Sequence, residues 1–144
     1  SGTLMSVSCW RKLDRFDERL FIDYVDTDIC LRAKRAGYSL AVSAGAVLHH
    51  NLGAPVERSV AGKTLRASGH AHSRRYYMAR NRILLWRRFA CHFPHWAFFD
   101  GVMAIKMLIN SLLLEPNRFR QLQAFLLGCF DGLCERTNRS IRKL

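Results

Sequence analysis

Carboxylates are scarce in this chain. Of 144 residues, 11 are Asp or Glu and 23 are Lys or Arg, for a formal charge of +12. The shortage is sharpest after residue 28, where 19 Lys+Arg face 5 Asp+Glu. Such an excess favours an anionic partner: nucleic acid, lipid headgroups or phosphorylated substrates. Cysteines are few and badly placed for structural work. The five (Cys9, Cys30, Cys91, Cys129, Cys134) are odd in number and scattered, with no CxxC pair. That leaves neither a zinc site nor a disulfide framework supported and points to reduced thiols in a cytoplasmic setting. No signal peptide, internal repeat or low-complexity tract is visible. The apolar share of 49% with 24% charged residues is that of a globular chain, and the length fits about one domain.

The acids that do occur are gathered. Asp14, Asp17, Glu18, Asp23, Asp26 and Asp28 are six of the eleven, packed into residues 14–28. Acids concentrated beside so much positive charge suggest a site that needs carboxylates, for base catalysis or for a cation.

Along the chain, residues 3–7 read as a short buried strand and Ser8 to Leu13 as a short helix. Asp26 is placed to cap a helix running to about Ala36, with Gly37 as its stop. Tyr38–Val42 alternates as a strand does, and Ala46–His49 reads as a second, buried one. Residues 51–73 are polar and Gly-containing without a period, a loop and a plausible boundary. From about Arg74 the pattern is helical to the end. The chain opens on Ser1, and residues 1–5 already look like a strand, so a piece of a longer protein is expected.

Asp26 and Asp28 are two apart at a strand-to-helix junction. One can cap the helix while the other faces a cleft, where a carboxylate takes the proton of an attacking hydroxyl or contacts a divalent cation. The local alternative is an N-cap plus a solvated acid. His49-His50 ends the second strand. Adjacent strand residues point to opposite faces, so one of the two can face a site as a metal or phosphate contact, or else be merely packed or solvated. His70 and His72 carry no such case.

Taken in order, these segments resemble the C-terminal half of inverting nucleotide-sugar glycosyltransferases of the A-type fold (family 2-like), most of all bacterial rhamnosyltransferase-like members. The residues carrying the resemblance are Ser1–Leu4, Phe16–Phe21, Asp23–Ala33, Ala36–Tyr38 and His50 with Gly53. Arg75-Tyr76-Tyr77 with Arg80-Asn81 follow, then Leu127-Gly128 and Asp131-Gly132-Leu133. The resemblance implies an α/β fold: the C-terminal part of the A-type domain, a short mixed sheet with helices, then an α-helical, membrane-associating tail. It implies an acceptor and catalytic-base half over residues 1–56, a flexible loop over 57–73 and a basic amphipathic tail over 74–144. It makes Asp26 the catalytic base, Asp23 and Asp28 acceptor or supporting residues, and His50 the contact to a metal-diphosphate, with His49 as the alternative. A divalent metal (Mg or Mn) is implied, held mostly by an N-terminal half absent from this chain. The fragment alone is therefore expected to be inactive.

Two departures matter. The family's glycine pair before Phe-Asp-Glu is replaced by Asp14-Arg15. Asp tolerates a left-handed backbone better than Arg does, so this turn is expected to differ. The Gln-x-x-Arg-Trp signature of processive relatives is missing, which suggests one sugar transferred at a time. The expected parent passes a sugar, rhamnose being one candidate, from a nucleotide donor to a glycan or lipid-linked acceptor in cell-surface polysaccharide assembly. Its expected place is cytoplasmic, peripheral at the inner face of the membrane.

The tail carries the case for an anionic membrane surface. Arg74, Arg75, Arg80, Arg82, Arg87 and Arg88 crowd one helix with Tyr76, Tyr77 and Trp86, a mixture suited to phosphate and lipid interfaces. It also suits nucleic acid, but no nucleic-acid motif accompanies it. Residues 95–114 are long and apolar enough to span a bilayer. Asp100, Lys106 and Asn110 interrupt them, and these fall on one arc with His95 and Ser111. That favours an interfacial or bundle-packed helix over a spanning one. The alternative to an enzyme is a non-enzymatic basic membrane- or partner-binding module.

Overall fold

The computed structural model describes residues 2–49, 56–60, 63–67, 71–115 and 117–137. The chain divides into two compact units, Ser1–Asn51 and Leu52–Leu144.

In the first unit, helix α1 (Val7–Lys12) starts at Ser6, whose Oγ accepts from the Cys9 N–H at 3.2 Å. This satisfies one of the donors a helix start leaves open. A 3-10 turn, Glu18–Leu20, is capped in the same way by Asp17. Helix α2 (Val25–Arg35) follows. It stops as a Schellman motif: Gly37 takes φ +85°, and the Tyr38 and Gly37 N–H groups donate to the Ala33 and Lys34 carbonyls. Glycine is needed there because a Cβ would strain that backbone. The core is small, with Cys9, Leu13, Ile29 and Ala33 buried together and Met5, Cys30 and Tyr38 packed around them.

The second unit opens with an antiparallel hairpin, β1 (Val56–Val60) and β2 (Lys63–Ala67), in register from Val56 opposite Ala67 to Val60 opposite Lys63. The stretch read from sequence as a loop thus contains paired strands. Three helices follow: α3 (His72–Phe89), α4 (Pro94–Leu114) and α5 (Arg118–Leu133). The closest packing is α3 against α5. A Cβ on Gly128 would lie 2.4 Å from the Tyr76 carbonyl oxygen, and one on Gly132 would lie 2.7 Å from that of Arg80. With Ala124, fully buried, these glycines make a row of small residues on one face of α5, one turn apart. The row lets the two backbones approach. Polar groups fill the space beside it. Tyr76 Oη donates to buried Asp131 at 2.8 Å. Arg75 donates to Gln121 at 2.7 Å and to Glu115 at 3.0 Å, and Ser111 Oγ donates to the other Glu115 oxygen at 2.8 Å.

The α/β expectation does not hold. The described residues are predominantly helical, and their only strands are the two of the hairpin. No mixed sheet is present among them. Residues 2–6, 38–42 and 46–49 form no strand, and Leu4 is 99% exposed, Val42 98% and Val47 77%. The reason is pairing. Alternating apolar residues make a strand only where a neighbour supplies the ladder, and no described segment pairs with these three.

Candidate active site

The carboxylates of residues 23–28 are separated by α2 into different environments. Tyr24 occupies the cap position with a left-handed backbone (φ 63°) and no side-chain cap, and the helix begins at Val25. Asp26 is therefore the second helical residue and not the cap expected from sequence. Its side chain is exposed. Two positions on, Asp28 is wholly buried. It accepts from Arg32 Nε at 2.8 Å and pairs with Arg32 Nη2 at 2.7 Å. Arg32 reaches on to the Leu13 and Arg15 carbonyl oxygens, the latter at 2.8 Å. One guanidinium thus ties α2 to the turn after α1. Asp28 serves this brace, and Asp26 is left facing solvent. Asp23, three residues earlier, is half-buried.

The backbone before α2 is unusual. Asp14 and Arg15 both take positive φ (55° and 60°), as do Phe21, Asp23 and Tyr24 (57°, 60° and 63°). Asp14 and Arg15 thus hold two consecutive left-handed residues, a conformation that glycines adopt without strain. The compensation is visible. The Arg15 N–H donates to the Trp10 carbonyl at 3.0 Å, its guanidinium lies 5.5 Å from the Trp10 ring, and Arg32 holds its carbonyl. At Phe21 (ψ −62°) a γ-turn closes with the Ile22 N–H 2.6 Å from the Leu20 carbonyl. Its side chain is 74% exposed. Three strained residues just before an exposed acid form the kind of cluster that gathers at functional sites.

Burial pushes the Cys30 thiol above its ordinary value, and the Asp26 carboxylate pushes it further the same way. Cys30 is thus a poor nucleophile beside the candidate base.

His50 lies outside the described residues. His49 is exposed. Among the described residues no group of three or more His, Cys, Asp or Glu side chains could hold a metal ion. The described residues do not by themselves fit a cation.

The arginines expected to meet membrane or phosphate are mostly turned inward. Arg75, Arg80 and Arg82 are 4%, 1% and 7% exposed. Arg82 pairs with Asp100 at 2.9 Å, and Arg80 donates to Asn81 and to the Thr137 carbonyl while lying 4.9 Å from the Tyr77 ring. Arg74 is half-buried. Composition could not reveal this, because the partners that draw these side chains inward are up to 57 residues away. The later residues of the resemblance have the same explanation. Tyr76, Arg80, Gly128, Asp131 and Gly132 meet one another across α3 and α5 and pack the two helices together.

Over 140 residues the chain is 29% identical to a dTDP-rhamnosyl transferase, RfbF, of Shigella flexneri. The chain is similar to a sugar transferase. The match takes in 92% of the chain and 44% of the relative, so the chain spans less than half that protein's length. No family model matches. No solved structure matches either.

Proposed function

We propose that this chain is the acceptor-side portion of a glycosyltransferase in which Asp26 is the general base. The similarity to a rhamnosyl transferase supports a glycosyltransferase role in general. The single observation that carries the residue assignment is the separation of the two acids. Asp28 is consumed by the Arg32 brace, and Asp26, one half-turn away, is held in the open on the first turn of a well-anchored helix. A base must be within hydrogen-bond reach of the hydroxyl it serves, and of the two only Asp26 can be approached.

In this reading the acceptor hydroxyl attacks the anomeric carbon of a nucleotide-sugar, rhamnose being the favoured sugar. Its proton passes to Asp26, and the nucleoside diphosphate leaves from the opposite face, inverting the centre. Asp28 and Arg32 position the helix start. Asp23 and the strained residues before it border the acceptor. A divalent metal would neutralise the leaving diphosphate. We place it mainly on residues outside this chain, with His50 as a candidate contact, and no step here depends on it. The product is a glycan or lipid-linked saccharide of the cell surface, made at the cytoplasmic face.

The test is Asp26→Asn in the complete natural gene product, followed by release of dTDP from dTDP-rhamnose with acceptor present. Loss of a general base is expected to lower turnover about 10²–10⁴-fold. Because Asp26 is exposed, the thermal midpoint should stay where it is, which separates lost chemistry from lost fold. Turnover within a few-fold of wild type would remove the assignment.

A further inference from the structure

Helix α4 is built inside out. Two of its polar residues, Asp100 and Ser111, face the protein: Asp100 accepts from Arg82 and from Trp86 Nε1, both at 2.9 Å, and buried Ser111 donates to Glu115. Gly101 and Ala104 share that side, and a Cβ on Gly101 would lie 3.1 Å from the Trp86 ring. The outward side is apolar. Phe98, Val102, Ile105, Ile109 and Leu113 are 67%, 47%, 61%, 50% and 53% exposed, and Phe99 and Met103 beside them are 66% and 52% exposed. At 3.6 residues per turn they fall within an arc of about 160°, with exposed Lys106 among them, its long stem able to carry the ammonium out to the headgroups. The stripe runs the length of a 21-residue helix, about 30 Å. It is far longer than the scattered apolar residues of an ordinary surface.

Charge says what covers it. The second unit holds 16 Lys+Arg and 5 Asp+Glu, so nearly all of the chain's +12 lies here. Each acid whose side chain is described is already engaged: Asp100 with Arg82, Glu115 with Arg75, Asp131 with Tyr76 and Glu135 with Arg87. Lys106, Arg118, Arg120 and Arg136 remain exposed around the helices. A second copy laid on this face would set like charges against each other. A spanning helix would have to present Lys106 to the acyl core on the very side that faces outward.

We propose that α4 lies along the surface of an anionic bilayer, its stripe at the acyl boundary and Lys106, Arg118 and Arg120 among the headgroups, as interfacial amphipathic helices do. The contact is made by α4 and the start of α5, and the inward-facing Arg75, Arg80 and Arg82 have no part in it. It would hold the chain at a lipid-borne acceptor, but it does not depend on Asp26 or on catalysis.

The test is co-sedimentation of the 144-residue chain with vesicles of phosphatidylcholine alone or with phosphatidylglycerol added, alongside analytical ultracentrifugation. Partitioning onto the anionic vesicles at least about tenfold above neutral ones is expected. Ile105→Ser with Ile109→Ser should reduce it about tenfold or more. Lys106→Gln, which disturbs no packing, should reduce it about fivefold, from one favourable surface charge lost. Helical circular dichroism verifies that each variant folds. Equal binding to both vesicles, or anionic binding that survives the stripe substitutions, overturns the proposal. So does a chain that ignores vesicles and sediments as a dimer dissociated by Ile105→Ser and Ile109→Ser, which would make the stripe a self-interface.

Discussion

Gly128→Ala asks whether α3 and α5 meet as closely as described. In a solvent-facing helix interior this change stabilises by about 1 kcal/mol, since alanine loses less backbone freedom than glycine. Here the new methyl would lie 2.4 Å from the Tyr76 carbonyl oxygen, 2.9 Å from the Ala79 Cβ and 3.1 Å from the Arg80 nitrogen. Two of the three neighbours are backbone and cannot rotate away. An ordinary contact requires the helices to part by roughly 1 Å, and a gap of that size forfeits a quarter to a half of the dispersion energy along the seam. Overpacking of this kind costs about 1–3 kcal/mol, and the Tyr76–Asp131 hydrogen bond is stretched with it. The expected net is a loss of about 2 kcal/mol, a fall in Tm of roughly 10 °C for a unit of this size. Gly101→Ala is the control. Its methyl would meet only the Trp86 ring, 3.1 Å away, and a side chain can yield, so the change should be close to neutral. Urea and thermal unfolding followed by circular dichroism measure both. A more stable Gly128→Ala would refute the close approach of α3 and α5.

Arg32→Ala removes the ion pair of buried Asp28 and the donors to the carbonyls of Leu13 and Arg15. A loss of about 3–5 kcal/mol is expected, against almost none for exposed Arg35→Ala, and equal urea midpoints for the two would remove the brace. Arg15→Gly should stabilise the first unit by about 1 kcal/mol, because the residue holds φ 60° at a cost glycine avoids; a destabilised variant would mean that the Trp10 contact outweighs the strain. Burial and the hydrogen bond to Asp131 push the Tyr76 phenol from 10.0 up to about 12. Folding therefore favours its neutral form. This contribution is whole below pH 10 and lost as pH rises towards 12, about 3 kcal/mol in all. Unfolding free energies of wild type and Tyr76→Phe should draw apart by about 2 kcal/mol between pH 8 and 11.5, and parallel curves would contradict it. With iodoacetamide, exposed Cys91 and Cys134 should be alkylated well before Cys129, whose thiol is raised by burial; mass mapping that finds Cys129 first would contradict the packing of α5.

Local signals in the sequence were dependable where the structure is local. The short helix before residue 13, the stop at Gly37 and the long helices after Arg74 follow from caps, a glycine and apolar period, all within a turn or two of the residues concerned. The strands at 38–42 and 46–49 did not follow, because a strand depends on a neighbour that its own alternation cannot supply. The hairpin at 56–67 was missed for the opposite reason, since Val-Glu-Arg-Ser-Val and Lys-Thr-Leu-Arg-Ala show no clear apolar face. At the candidate site the acid cluster was plain. Which acid is open was not, because it turns on Arg32 reaching back to Leu13 and Arg15, 19 and 17 residues away.

Helix α4 shows where periodicity stops being informative. The spacing of Asp100, Lys106, Asn110 and Ser111 puts polar residues on one arc, and water is the natural neighbour for such an arc. The structure divides that arc, turning Asp100 and Ser111 to the protein and Lys106 outward, and periodicity does not fix where the division falls. That choice falls to α3. Arg82 and Trp86 carry donors that become buried when the bundle forms, and a buried donor left unmade costs about 1–3 kcal/mol, more when charged. Asp100 answers both at once, and Ser111 helps hold the carboxylate that answers Arg75. Turning α4 the other way would bury Phe98, Ile105 and Ile109 at a gain of about 1.5–3 kcal/mol each. It would also take Asp100 from buried Arg82 and Glu115 from buried Arg75, each the loss of an ion-pair partner at up to about 3–5 kcal/mol. The two totals are comparable in water alone. An apolar surface lying against Phe98, Ile105 and Ile109 removes the cost of exposing them and leaves the inward polar pairs intact, so the observed orientation is the better one wherever α4 is covered.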